Sequence, residues 1–374
     1  MSLNDLPTPA LLLDLDILER NLASMQDRAD RFGVALRPHI KTHKCLSVAR
    51  RQIDLGARGL TVSTFYEADQ FARAGFDDLT WALPFPPIYT GPAIDLARRA
   101  TVRFVVDSPE AAAALAAAGR AAGIHPHVWI KVDCGYHRAG VDPRSDAALT
   151  LARRILDSPL EFDGILTHAG HSYAGMSPSE ISTIAEQERA VAAEFAERLR
   201  DQGIPVANVS VGSTPTTRLA KRMDGVTEIR PGNYAFFDLT QTQLGVCCVE
   251  DCAVTVLCSI ISHQAGSEIV ITDAGALALS KDSGATHLGR SSGMGLIYKD
   301  YTQKILFSEQ EVQIQTLSQE HGKLLVHSDR PFHVGERLRI LENHSCLTAA
   351  LFDRYHVVRG DTVLDAWQIL RGRM

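Results

Sequence analysis

Short β-like runs alternate with amphipathic helical stretches along the first 240 residues. The strand-like runs are VALRPHIK (34–41), GLTVST (59–64), LTWAL (79–83), VRFVVD (102–107), HVWIKVD (127–133), FDGILTH (162–168), NVSVGST (208–214) and EIRPGNY (228–234). Before the first of them, Leu18, Leu22, Met25, Ala29 and Phe32 step by three and four and make one apolar helix face. Between the sixth and seventh, Ile181, Ile184, Val191, Phe195 and Leu199 make another. Ser177 is its expected N-cap, Pro178 its first residue and Glu180 its capping-box partner. AAAALAAAGRAAG (111–123) reads as a helix on propensity alone.

Eight strands alternating with helices predict a parallel (β/α)8 barrel. A doubly wound sheet is the alternative, weakened because no G-x-G-x-x-G follows the first strand. After residue 240 the texture changes. CAVTVLCSIISH, EIVITDAG, KLLVHS and ERLRILEN are short β-rich runs separated by turn residues, and they predict a second, mainly β domain. The expected division is therefore a barrel over 17–240 and a β domain over 241–374. ALLLDLD (10–16) has no place in the eight-strand count and is expected to pair with the β domain.

Composition narrows the class. A chain of 374 residues is long enough for two cores, and 45% hydrophobic with 22% charged residues is ordinary for a soluble protein. A net charge of −6 argues against nucleic-acid binding. No apolar run approaches the ~18 residues of a membrane span, and the N-terminus shows no signal peptide. Seven cysteines without framework spacing suit a reducing, cytoplasmic setting.

In such a barrel the chemistry lies at the C-terminal strand ends. The first end gives His39 and Lys41 in RPHIKTHK, where a held lysine suits Schiff-base chemistry with an aldehyde such as pyridoxal phosphate (PLP). A basic surface loop is the plain alternative. The fifth end gives Asp133, His137 and Arg138; the sixth, His168, His171 and Tyr173; the seventh, Gly212, Ser213 and Thr214; the eighth, Arg230, Gly232, Asn233 and Tyr234. Glycine and hydroxyl residues ahead of a helix can present N–H groups to a phosphate, and barrels often hold one after strands seven and eight. In ENHSC, His344 and Cys346 are two apart, which on an extended segment places both on one face. Imidazole with thiolate favours a transition metal, zinc first, and two protein ligands leave positions open for water and substrate. A buried cysteine beside an incidental histidine is the alternative.

PHIKTHK, VDCGYHRAGV, GILTHAG, VGSTPT and EIRPGNYAFFD resemble the fold-type III PLP enzymes, in particular the branch containing D-serine dehydratases and D-threonine aldolases. The likeness runs from TPALLLDLD to ENHSC. It implies a homodimer with a PLP-binding alanine racemase-like barrel. It implies Lys41 as the Schiff-base lysine, Arg138 facing the cofactor's phenolic oxygen and His168 against its ring. Gly212, Ser213, Thr214, Gly232 and Asn233 would hold the phosphate, with His39 and Tyr173 nearby. Arg230 matches an arginine that meets the ring nitrogen in alanine racemase, a contact this branch need not share. His344 and Cys346 match the divalent-metal ligands, with manganese or magnesium as alternatives to zinc. Aldolases carry His-x-Asp there, so Cys346 favours a dehydratase. The family proline before Asn-His is Glu342 here, and SQEHG, with Glu320 and His321, is expected near the same cavity. The implied reaction is dehydration of a small D-β-hydroxy amino acid, D-threo-3-hydroxyaspartate or D-serine, to a keto acid and ammonia. An aldolase, a racemase and a PLP-carrier protein are the alternatives.

Overall fold

The computed structural model describes residues 2–289 and 292–372. Its chain divides into two compact units: one contains Met25–Lys41 and Val48–Gly232, the other the N-terminal segment up to Ser24, Thr42–Ser47 and Asn233–Arg371. Strand β1 (Ala10–Asp14) belongs to the second unit.

The first unit is the barrel. Its strands are β2 (Ala35–Leu36), β3 (Leu60–Val62), β4 (Asp78–Pro84), β5 (Thr101–Val106), β6 (His127–Lys131), β7 (Glu161–Leu166), β8 (Asn208–Val211) and β9 (Glu228–Ile229). They pair in parallel in the order β2-β9-β8-β7-β6-β5-β4-β3. A parallel bridge between His39 and Thr61, with Thr61 N–H donating to the Pro38 carbonyl at 2.8 Å, joins the two ends. The fold is thus the expected eight-stranded α/β barrel.

The first and last strands are shorter than their sequence runs suggest. Pro38 and Pro231 have no N–H to give a ladder. Pairing continues only through alternate groups, Arg37 N–H to the Ile229 carbonyl at 2.9 Å and His39 N–H to the Pro231 carbonyl at 3.0 Å. The chain then tightens into a 3-10 turn, Ile40–Thr42, so Lys41 lies on a turn rather than on the strand itself.

Both helices read from periodicity form. Leu15–Phe32 buries Leu18, Leu22, Met25 and Ala29. Pro178–Asp201 is capped by Ser177, whose hydroxyl accepts the Glu180 N–H at 3.2 Å. The capping box does not close: Glu180 Oε2 accepts the Met176 N–H at 2.9 Å instead, one residue too early. This helix buries Ile181, Phe195 and Leu199, whereas Ile184 and Val191 flank its buried face; Glu188, a charged residue, lies on that face.

Charges fill the N-terminal end of the barrel. Arg37 is bound by Asp78 and by Glu228 at 2.7 Å; Arg103 by Asp78 and by Asp163 at 2.7 Å; His127 by Asp163 at 2.9 Å. His127, Glu161 and Asp163 are close enough to share a metal ion. Arg103 already neutralises Asp163, so the cluster is an ion-pair network among β5, β6 and β7.

The second unit is mainly β, with β10 (Val254–His263), β11 (Ile269–Thr272), β12 (Leu296–Asp300), β13 (Ile305–Leu306), β14 (Val312–Leu317), β15 (Gly322–Val326), β16 (Arg337–Leu341), β17 (Arg354–Arg359) and β18 (Thr362–Gln368). The sheet runs β13-β12-β16-β10-β1-β17-β18, with β11, β15 and β14 branching from β10. Strand β1 lies between β10 and β17, and Leu11, Leu12 and Leu13 are fully buried. Its unbroken apolar run reflects burial on both faces. Among the described residues no helix is long and apolar enough to cross a membrane.

Candidate active site

Lys41, His39, Arg138, His168, Tyr173, Gly212, Ser213, Thr214, Arg230 and Gly232 all belong to the barrel unit. Lys41 is exposed, and its N–H faces His39 Nδ1 at 3.4 Å. Burial, then the charges of Lys41, Arg230 and His168, push the His39 imidazole well below its ordinary value. His168 is lowered in the same way by burial, Lys131 and Lys41, and its Nδ1 lies 3.3 Å from the Gly212 carbonyl. Both histidines are therefore neutral in a field made by several cations. Arg138 is exposed, its guanidinium 4.8 Å over the Tyr136 ring. Tyr136 stacks on His171 and meets His168 edge-on. Arg230 is buried and spends both terminal nitrogens on the barrel wall, at Ser210 Oγ and the Thr167 carbonyl.

Two residues in this cluster escaped the sequence reading. Lys131, on β6, is buried, and burial with Arg230 and Arg138 pushes its amine down to about 7. Its signal was a lysine inside the apolar run HVWIKVD. The second is Glu188: Oε1 accepts the N–H groups of Ala169 and Gly212 at 2.8 and 3.1 Å, and Oε2 accepts the Thr216 hydroxyl at 2.9 Å. One buried carboxylate thus staples the loops after β7 and β8. Its signal was a glutamate at helical spacing within the apolar face of Ile181, Phe195 and Leu199.

The loop after β8 is shaped for close approach. Gly212 has φ +113°, and a Cβ there would come within 2.8 Å of Thr217 Oγ1. Ser213 caps the short helix Thr214–Leu219 and touches the Ser172 hydroxyl at 3.0 Å. Tyr173 is half-buried on the 3-10 turn Gly170–Ala174, and Thr214 and Gly232 are buried. Thr217 Oγ1 and His171 Nδ1 are buried with no partner among the described residues. Surplus cations, a glycine cradle and orphaned polar atoms fit a polyanionic ligand such as PLP.

Asn233, His344 and Cys346 belong to the other unit. The His-x-Cys segment is not extended as expected: His344 is the N-cap of the helix Ser345–Ala349, so Cys346 already lies in its first turn. The helix forms because Asp238 Oδ2 accepts the Ser345 N–H at 3.0 Å, satisfying a free donor at the helix start. The two side chains nevertheless meet, and both are half-buried. His344 Nδ1 lies 3.0 Å from Asp282 Oδ2. Cys346 Sγ lies 3.2 Å from the Thr42 hydroxyl and 3.9 Å from Asn233 Nδ2. Asn233 Nδ2 also donates to Asp238 Oδ2 at 2.6 Å.

Glu342 is fully buried with both oxygens unpartnered among the described residues. Burial, then Asp238, hold its carboxyl well above the usual range. His344 moves the opposite way to the barrel histidines: burial opposes its charge, but Asp282 and Cys346 push it up to about 12. A thiol, an imidazole and three surrounding carboxyl groups make a donor set short of positive charge, which fits a divalent metal. Glu320 and His321 lie on the exposed turn between β14 and β15.

A closed parallel barrel with a lysine at a strand end, followed by a β domain, defines the alanine racemase-like class of PLP-dependent folds. Residues 13–240 match the family model "Alanine racemase, N-terminal domain" and 253–358 a serine dehydratase domain, and the chain belongs to this family. It is 42% identical to D-threo-3-hydroxyaspartate dehydratase of Delftia sp. (strain HT23) over 98% of both chains. It is 35% identical to D-serine dehydratase of Dictyostelium discoideum (96% of this chain, 95% of the relative) and 31% identical to D-threonine aldolase of an Arthrobacter species (97% and 92%). The solved Delftia dehydratase superposes with a TM-score of 0.95 at 42% identity over 99% of each chain. A variant of D-threo-3-hydroxyaspartate dehydratase in its metal-free form gives 0.95 at 41% over all of both chains.

Proposed function

We propose that this protein is a PLP- and divalent-metal-dependent dehydratase of a D-configured β-hydroxy amino acid, D-threo-3-hydroxyaspartate or D-serine, releasing a keto acid and ammonia. Lys41 would carry PLP. Gly212, Ser213, Thr214, Gly232 and Asn233 would hold its phosphate, Arg138 its phenolic oxygen and His168 its ring, with His39, Tyr173 and Arg230 around them. Bound PLP supplies an electron sink for the charge left at the α-carbon. Lys41 Nζ takes the α-proton. Neutral His39 and His168 add no further positive charge beside that amine. A metal at His344 and Cys346, zinc by donor softness with manganese or magnesium as alternatives, supplies a Lewis acid for the departing hydroxyl. Asn233 Nδ2 donates to Cys346 Sγ, which favours the thiolate that a metal needs, and the Thr42 hydroxyl lies 3.2 Å from the same sulfur.

The observation that carries dehydration over aldol cleavage is the sulfur ligand Cys346, where the resembling aldolases have aspartate. Identity to the Delftia and Dictyostelium dehydratases is higher than to the Arthrobacter aldolase, which supports the same reading. We further propose a cytoplasmic homodimer; all seven cysteines are free thiols, which suits a reducing compartment. Incubation with D-serine, D-threonine and the 3-hydroxyaspartate isomers tests the reading. Keto acid with equimolar ammonia from a D-substrate is expected. Glycine with an aldehyde as the main products would replace the dehydratase by the aldolase.

A further inference from the structure

We propose that Asp282 is the positioning residue for the metal ligand His344, holding Nδ1 so that Nε2 is the nitrogen presented to the metal. The proposal rests on the metal reading above. A neutral imidazole carries one N–H, and the acceptor that takes it decides which nitrogen keeps a free lone pair. Here Asp282 Oδ2 lies 3.0 Å from His344 Nδ1. The bond fixes the tautomer, the ring orientation and, through the carboxylate charge, the basicity of the ligating nitrogen.

The carboxylate is itself held firmly. Asp282 Oδ1 accepts the Gly284 N–H at 2.8 Å, and the Asp282 N–H donates to Ser280 Oγ at 3.2 Å. The Asp282 carbonyl accepts Asn343 Nδ2 at 2.9 Å, so the same loop is tied both to the ligand and to the residue before it. Asn343 is fixed in turn by the Gly293 carbonyl at 3.0 Å and the Ser292 hydroxyl at 2.7 Å. Cys346 has a separate support in Thr42, Asn233 and Asp238. Losing the Asp282 carboxylate therefore loosens one ligand and leaves the other in place.

The test uses PLP-loaded enzyme and zinc. The zinc Kd is measured by competition with a chromogenic chelator for wild type, Asp282→Asn, Asp282→Ala and His344→Ala, and the visible spectrum is recorded after cobalt(II) substitution. Asp282→Ala should weaken zinc binding by roughly 10–100-fold and change the cobalt spectrum, with the yellow cofactor retained. Asp282→Asn is nearly isosteric, so it keeps the loop and loses only the charge; it should fall between wild type and Asp282→Ala. Unchanged zinc affinity and an unchanged cobalt spectrum in both variants, with His344→Ala defective, would overturn the Asp282 role and leave the metal reading standing. If His344→Ala binds zinc as wild type does, the metal reading falls and this inference with it.

Discussion

The barrel cluster and the His344–Cys346 cluster are built with opposite charge. In the barrel, Lys41, Lys131, Arg138 and Arg230 surround two histidines that are driven neutral. In the β domain, Asp282, Cys346 and Asp238 surround one histidine that is driven charged. The same imidazole thus shifts in opposite directions within one chain, and in both places burial disfavours its charge. The neighbours decide the outcome. A cation-rich cluster suits a phosphate-bearing ligand and an anion-rich one suits a metal ion, which is the division of labour proposed above.

The comparison breaks first at Lys41. Lys41→Ala removes the barrel's proposed attachment point and base together, and turnover should fall by at least ~10²–10⁴-fold. Borohydride reduction of the wild-type enzyme should fix the cofactor to the peptide bearing Lys41; fixation at Lys44 instead would contradict the assignment. Next comes the sulfur ligand. Cys346→Asp should keep metal, measured by elemental analysis, yet lose keto-acid production, because a harder ligand replaces the thiolate. Wild-type rates in that variant would show that sulfur is not needed.

Much of the fold was legible because periodicity is local. Eight β-like runs and two amphipathic helices are written in neighbouring residues, and Ser177-Pro178 marks a helix start by itself. The strand ends were less legible, since Pro38 and Pro231 cut β2 and β9 shorter than their apolar runs. Glycine and hydroxyl clusters showed the candidate site's outline. Its supports did not show. Asp282 meets His344 across 62 residues of sequence and Glu188 meets Gly212 across 24. Such pairings depend on tertiary placement, and a carboxylate's local sequence says nothing of which distant N–H it will accept.

Smaller effects sharpen the contrast. Gly212→Ala adds a Cβ at positive φ beside Thr217 and should cost about 1–3 kcal/mol of backbone strain, read as a lower denaturant midpoint; an unchanged midpoint would show that the loop tolerates a side chain there. The smallest expected effect lies at the far end of the barrel. The bond to Asp163 raises the His127 value, so its folded-state value lies above the unfolded one near 6.5. Its stabilisation is complete below the unfolded value and is lost as pH rises through the folded one. Denaturant unfolding of His127→Gln across that window should show a flatter pH dependence than wild type. Superimposable curves would mean that the ion pair contributes nothing.

The most direct test of the central claim, that two oppositely charged clusters hold two different cofactors, is exhaustive chelation of the purified holoenzyme. Cofactor absorbance, metal content and keto-acid formation from D-threo-3-hydroxyaspartate are followed together. Metal and turnover should disappear in parallel while the yellow colour and the fold persist, and added zinc or manganese should restore activity. Full turnover in enzyme shown by elemental analysis to be metal-free would contradict the account.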